Sequence, residues 1–249
     1  MSFRGTNLRT RGATESTEID YLPSSLEDEA AATLRWSNLI AGWHLDEFSD
    51  GVSPVVRADV LGNYDFADAA TKPSAAGIIG LGVENTDPGQ LIASPPGVTG
   101  ALTVNFWINR TGSLAGIFLV GQDAGATTAR AFVVASLDGA SISAILYSGS
   151  TPFSMGSSGL TAPLDTFIMV TLVKPAGTGV ATLYRNDDDE SISTASMPQV
   201  NEATSVFTIG QTGGNTLCVI DECYYFSDEK DAAWRADMYN AGAGRAYPN

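Results

Sequence analysis

The sequence predicts an all-β protein built as two antiparallel sheets packed into a sandwich. Eleven short apolar runs, many alternating with period two, are separated by Gly, Pro, Asn and Asp clusters rather than by helices. With 249 residues, 44% hydrophobic and 16% charged, the chain can bury a proper core and is not wholly disordered.

Residues 1 to about 23 are polar, rich in Thr and Arg and without periodicity; they read as an extended arm ending at Pro23. SSLEDEAAATLRW follows, with Ser24 and Ser25 as cap residues and acids at 27–29, which suits a helix N-terminus. Ala30, Ala31, Leu34 and Trp36 give that short helix a weakly apolar face. Strands are expected over NLIAGWHL, AGIIGLGV, QLIAS, ALTVNFWIN, AGIFLVGQ, RAFVVASL, SISAILYS, TFIMVTLVK, GVATLYRN, SVFTIGQ and TLCVIDECYYF. In ALTVNFWIN, Leu102, Val104, Phe106 and Ile108 share one face, while Thr103, Asn105, Trp107 and Asn109 share the other. Turn signals recur at Asp138-Gly139, Pro175 to Gly179, Asn186-Asp187 and Gly213-Gly214-Asn215. Ser227, followed by Asp228 and Glu229, reads as the cap of a last helix over DEKDAAWRADMYNAG, stopped by Gly242. Without an internal repeat or a second core, the chain reads as an arm and short helix over 1–36 and one sandwich with a C-terminal helix over 37–249.

Charge and cysteine usage narrow the function. A net charge of −15 argues against nucleic-acid binding, which needs clustered Lys and Arg. The acid is uneven: Arg4, Arg9 and Arg11 stand in the first twelve residues with no acid beside them, so 10 of the 13 basic groups face all 28 acids over residues 13–249. No run of about eighteen apolar residues exists for a membrane span, and the opening lacks the apolar stretch of a secretory signal. Cys218 and Cys223 lie five apart in one strand, which puts them on opposite faces and about 16 Å apart, so free thiols and a reducing cytoplasm are expected. A zinc site would need more partners than the lone, distant His44.

GWHLDEFSDG, ALTVNFWINR, FIMVTLVK with GVATLYRN, FTIG, and VIDECYYFSDEKDAAWRADMYNAGAG form an ordered series. The series resembles the laminin-G-like jellyroll domains of the concanavalin A-like lectin/glucanase superfamily over about residues 38–247. Departures are Asp187 where the family often has Gly, and Thr166-Phe167 where a Trp is usual. The resemblance implies two curved antiparallel sheets packed about 10 Å apart. It leaves function open among lectins, adhesion modules, hydrolases and virion components.

Hydrolysis is disfavoured. The Glu-x-Asp-x-x-Glu strand of the glucanase branch is absent; EID at 18–20 lies in the arm, and NDDDE at 186–190 reads as a solvated hairpin. His44 has no nucleophile partner and reads as structural. The resemblance implies a structural calcium at the rim, whose matching positions are Asp46 with Glu47 or Asp50 with Gly51, and Asp221. Glycan stacking would draw on Tyr64, Tyr147, Phe153 and Trp107, each of which also reads as a packing residue. Arg4, Arg9 and Arg11 are expected to anchor the chain to an acidic neighbour. With the family's use in tailed phages, this points to a non-enzymatic virion protein: a capsid decoration module, assembled in the host cytoplasm, its sandwich displayed outward. The alternative is a carbohydrate-binding or adhesion module recognising cell-surface glycans.

Overall fold

The computed structural model describes residues 26–52, 54–68, 72–85, 90–94, 97, 100–113, 118–122, 130–136, 139–156, 159–187, 190–201, 206–210 and 217–248. The chain divides into two units, Met1–Leu34 and Arg35–Asn249. Most of helix α1 (Leu26–Arg35) falls in the first, and the sandwich makes up the second. Its strands are β1 (Leu39–Trp43), β2 (Val56–Arg57), β3 (Phe66–Asp68), β4 (Ser74–Ala76), β5 (Leu81–Asn85), β6 (Leu91–Ala93), β7 (Leu102–Arg110), β8 (Phe118–Gln122) and β9 (Phe132–Ser136). They continue as β10 (Ser141–Ser148), β11 (Thr151–Ser154), β12 (Leu160–Thr161), β13 (Phe167–Lys174), β14 (Thr182–Arg185), β15 (Glu190–Ser193), β16 (Phe207–Ile209) and β17 (Cys218–Phe226); helix α2 (Ala232–Tyr239) follows.

The protein is nearly all β, as its alternation predicts. One sheet runs β15-β14-β13-β7-β17-β5-β4, with β1 also on β17; the other runs β11-β10-β9-β8-β16-β6-β3-β2, with β12 also on β10. The inward-facing half of β7, Leu102, Val104, Phe106 and Ile108, is buried in the inter-sheet core as its spacing requires. Trp43 anchors that core, its ring 4.2 Å from Phe66 and 5.2 Å from Phe207 between centroids. The Tyr225 hydroxyl donates to Gln122 Oε1 at 3.2 Å and so ties β17 of one sheet to β8 of the other.

Three local expectations fail for identifiable reasons. AGIIGLGV is not a strand but a hairpin: β4 ends at Ala76 and β5 starts at Leu81, with Gly80 at φ +66 in the turn. The last helix is capped by Asp231, whose carboxylate accepts the Trp234 N–H, not by Ser227. Residues 228–230 are held elsewhere: Thr103 Oγ1 donates to the Asp228 carbonyl and accepts the Lys230 N–H, and Lys230 Nζ donates to the Ser37 carbonyl. A second apolar cluster also exists outside the sandwich. Trp107, Met169, Tyr224 and Phe226, facing outward from the first sheet, are buried with Trp234 and Met238 of α2. Helix α2 therefore covers a sheet face that would otherwise expose four large side chains.

Candidate functional site

The two acids in VIDECYYF are fixed by a break in β17. Along one edge β17 pairs with β5 over Cys218–Ile220 and then with β1 over Cys223–Phe226. Between those stretches the register against β7 shifts, and Glu222 takes φ +48, so the strand bulges there. The extra residue reverses the alternation, and both Cys218 and Cys223 face the inter-sheet core. The odd spacing alone would have put them on opposite faces. They are free and fully buried.

Asp221 and Glu222 are both 0% exposed. Asp221 Oδ2 accepts the N–H groups of Ile78 and Ile79 at 2.8 and 3.1 Å, and Oδ1 accepts that of Glu222 at 2.9 Å. A Cβ on Gly77 would stand 2.3 Å from Oδ2, so only glycine allows this approach. The Glu222 carboxylate faces His44 Nδ1 at 3.0 Å and accepts the Tyr224 hydroxyl, which in turn accepts the Tyr247 N–H at 3.0 Å. Burial, reinforced by the charge of Glu222, pushes the Asp221 carboxyl up to about 8. Burial raises Glu222 as well, against the opposing pull of His44. These are consecutive residues, shut from solvent, with their oxygens committed to protein donors. That is a brace for the 77–80 turn and the 247 segment, not the facing carboxylate pair of a glycosidase.

The exposed feature lies in the connection from β1 to β2. Phe48 is 74% exposed and Val52 78% exposed, flanked by exposed Asp46 and Asp50. The loop beneath them is pinned. Arg57, 0% exposed, donates to the carbonyls of Glu47, Leu45 (3.5 Å) and Lys72 (3.2 Å). Ser74 Oγ accepts the Ser49 N–H and donates to the Glu47 carbonyl, and the Ser74 N–H reaches the Ser49 carbonyl. Glu47 Oε1 accepts the Ala58 N–H at 2.6 Å. Leu45, fully buried, sits at φ +64, a conformation costing on the order of 1–2 kcal/mol that the surrounding bonds hold in place. Sidedness follows: the loop sends its polar backbone inward and its aromatic ring outward.

The four aromatics that read as either stacking or packing residues are packed. Trp107 is buried and stacks on Tyr239 at 5.8 Å, Tyr147 is buried beneath Arg130, and Tyr64 and Phe153 pack against the core. Phe48 was missed, although its place among acids and turn residues in LDEFSDG, outside any alternating run, is the signal that marks it. Of the calcium positions, Asp46 Oδ1 accepts the Leu81 N–H at 2.9 Å, so Asp46 and Asp221 hold the two ends of one turn. Asp50 Oδ1 accepts the Val52 N–H within its own loop. Each of these carboxylates already receives an amide hydrogen, and Asp221, 0% exposed with both oxygens so engaged, is closed to a cation. Among the described residues no group of three or more His, Cys, Asp or Glu is placed to hold a metal. No helix among them is long and apolar enough to cross a membrane. Arg4, Arg9 and Arg11, EID at 18–20 and the cap residues Ser24 and Ser25 lie outside the described residues.

Fold and site together define an antiparallel two-sheet sandwich that presents one braced aromatic loop at its rim. No family model matches the sequence, and no curated protein matches it. Solved structures do match. One is domain 4 of AbnA, a GH43 extracellular arabinanase from Geobacillus stearothermophilus, in complex with arabinotriose; it is 16% identical over 80% of this chain and 97% of that one, with a TM-score of 0.60. The binding domain of Paraclostridial Mosquitocidal Protein 1 is 13% identical over 84% of this chain and 53% of that one, with a TM-score of 0.64. The binding domain of Botulinum Neurotoxin DC, in complex with SialylT, is 13% identical over 83% and 52%, with a TM-score of 0.57. The chain thus spans about half the length of these toxin domains, and at such identities the likeness is one of fold.

Proposed function

We propose that this protein is a non-enzymatic carbohydrate-binding module whose contact surface is the Phe48 loop. The observation that carries the reading is Phe48 itself, 74% exposed on a loop whose backbone is fixed by a buried arginine. An open ring supplies a stacking face for a sugar, flanking carboxylates accept sugar hydroxyls, and a rigid loop loses little entropy on binding. The matched arabinanase domain with its arabinotriose, and the toxin binding domain with SialylT, support a glycan ligand for a sandwich of this shape. Burial of Asp221 and Glu222 supports binding without hydrolysis.

The test is a glycan array followed by calorimetry, on the full chain and on Phe48→Ala. Saturable binding is expected, weakened roughly 10- to 30-fold by Phe48→Ala with no change in melting. Absence of any glycan ligand, or binding indifferent to Phe48→Ala, would overturn the proposal. The capsid-decoration reading rests on Arg4, Arg9 and Arg11, outside the described residues, and nothing in the sandwich favours it over glycan binding.

A further inference from the structure

We infer that Asp221 and Glu222 form a proton-operated clasp on the Phe48 loop, closed in mild acid and loosened as pH rises. The clasp acts through the hairpin of β4 and β5, which is tied to the β17 bulge on one side and to the loop on the other. The ladder of β5 to β17 joins Val83–Asn85 to Cys218–Ile220 and stops there. β4, at the sheet edge, pairs with β5 alone. Side chains therefore fasten the turn between them. Asp221 Oδ2 takes the Ile78 and Ile79 N–H groups at 2.8 and 3.1 Å, and Asp46 Oδ1 takes that of Leu81 at 2.9 Å. At the start of β4, Ser74 gives its N–H to the Ser49 carbonyl at 3.0 Å, and its hydroxyl takes the Ser49 N–H at 2.9 Å and donates to the Glu47 carbonyl at 3.1 Å. Residues 46–49 thus ride on a hairpin whose turn is held by a buried carboxylate.

Asp221 and Glu222 are consecutive and both 0% exposed. Among the described residues His44, from β1, is the one base that faces them, its Nδ1 3.0 Å from Glu222. Asp46, from the loop, adds negative charge, and Tyr224 gives its hydroxyl to Glu222. One imidazolium cannot offset two buried carboxylates, so the closed clasp retains a proton. Opening hydrates both acids and returns them to the ordinary carboxylate range near about 4, so opening releases that proton. Each pH unit above that range favours the open form by up to about 10-fold. The rise levels off at about 8, where Asp221 titrates in the closed form. Loss of the His44 proton, which leaves Glu222 without its counter-charge, acts in the same direction.

The experiment is hydrogen exchange on the full chain from pH 5 to 9, corrected for the intrinsic rate of amide exchange. It is read at the Ile78, Ile79 and Leu81 amides and at the β7–β13 ladder, beside limited proteolysis of residues 45–52 normalised to the unfolded chain. Wild type, Asp221→Asn, Glu222→Gln and Ser74→Ala are compared. Wild type should lose at least about 10-fold of its protection at the three amides from pH 5 to 8, then level off, while the ladder stays protected and loop cleavage rises in step. Asp221→Asn should flatten both profiles. Glu222→Gln, which keeps an oxygen for the Tyr224 hydroxyl but not the charge, should reach its plateau at lower pH. Ser74→Ala leaves the acids intact, so its amides should keep the pH dependence while its loop is cut fast at every pH. A flat wild-type profile, ladder amides that fail together with the three, or a Glu222→Gln plateau unmoved from wild type overturns the inference, whether or not Asp221→Asn folds.

Discussion

Replacing Gly42 by alanine tests the packing that holds the bulge in place. Gly42 on β1 stands opposite Tyr224 on β17, and a Cβ there would lie 2.6 Å from Tyr224 Cδ1, 3.0 Å from Cε1 and 3.1 Å from Val60 Cγ2. Carbon atoms rest at about 3.5–4.0 Å, so the tyrosine ring must retreat by roughly 1 Å. It has no room to do so. The ring is 0% exposed and packs against Trp36 at 4.9 Å between centroids. Retreat also breaks the hydroxyl's bond to Glu222 and the one it takes from Tyr247. Overpacking costs about 1–3 kcal/mol and each of the two lost bonds about 1 kcal/mol, so Gly42→Ala should destabilise by about 3–5 kcal/mol. In a chain of this size that lowers Tm by about 10 °C. Urea and thermal unfolding of wild type, Gly42→Ala, Tyr224→Phe and the double variant provide the measurement. Tyr224→Phe alone should cost about 1–2 kcal/mol. The double variant should cost less than the two single effects together, because both remove the same hydroxyl bonds. A Gly42→Ala protein within about 1 kcal/mol of wild type, or a strictly additive cycle, would refute the reasoning.

Other expectations concern the loop, the thiols and metal. Arg57→Met removes the buried donor that ties the Leu45 and Glu47 carbonyls to that of Lys72, which should cost about 3 kcal/mol and open residues 45–52 to limited proteolysis at temperatures where the sandwich remains folded. Burial pushes the Cys218 thiol up to about 12 and the Cys223 thiol higher still, so neither forms thiolate at mildly alkaline pH. A colorimetric disulfide reagent should therefore find no thiol in the native protein and two in concentrated guanidinium chloride. Because the Asp46, Asp50 and Asp221 oxygens already receive amide hydrogens, millimolar calcium followed by chelator should leave Tm unchanged within about 1 °C; a clear rise with calcium would contradict that geometry.

The long strands were legible because their buried residues form apolar or alternating runs bounded by turn residues. β10 and β13 fall within the runs that the sequence marked, and β7 passes the end of its run by Arg110 alone. Strands of two to four residues such as β2, β3 and β12 are too short to show a period, and only pairing with a neighbour defines them. The bulge was illegible for a related reason. Glycine marks a positive φ in a turn, but nothing in VIDECYY announces that Glu222 will adopt one, since the cause lies in the exchange of partners from β5 to β1. The same long-range origin hid the site. His44 and Glu222 are 178 residues apart, and Phe48's openness follows from Arg57 and Ser74 fastening the backbone behind it.

The partnership of β1 with β17 has a consequence for biogenesis. Leu39 lies opposite Phe226, and β17 stands between β7 and β5 near the middle of its sheet. A ribosome has therefore delivered some 183 residues after β1, from the end of β1 at Trp43 to the end of β17 at Phe226, before that sheet acquires its centre. Until then the edges of β1, β5 and β7 that will receive β17 remain unpaired, which makes for slow folding and a long interval open to intermolecular strand pairing. Joining the two ends of the folded body and opening the chain between β12 and β13 would give a permutant in which β17 and β1 emerge close in sequence. Such a permutant should refold faster than the natural order while keeping the same sandwich.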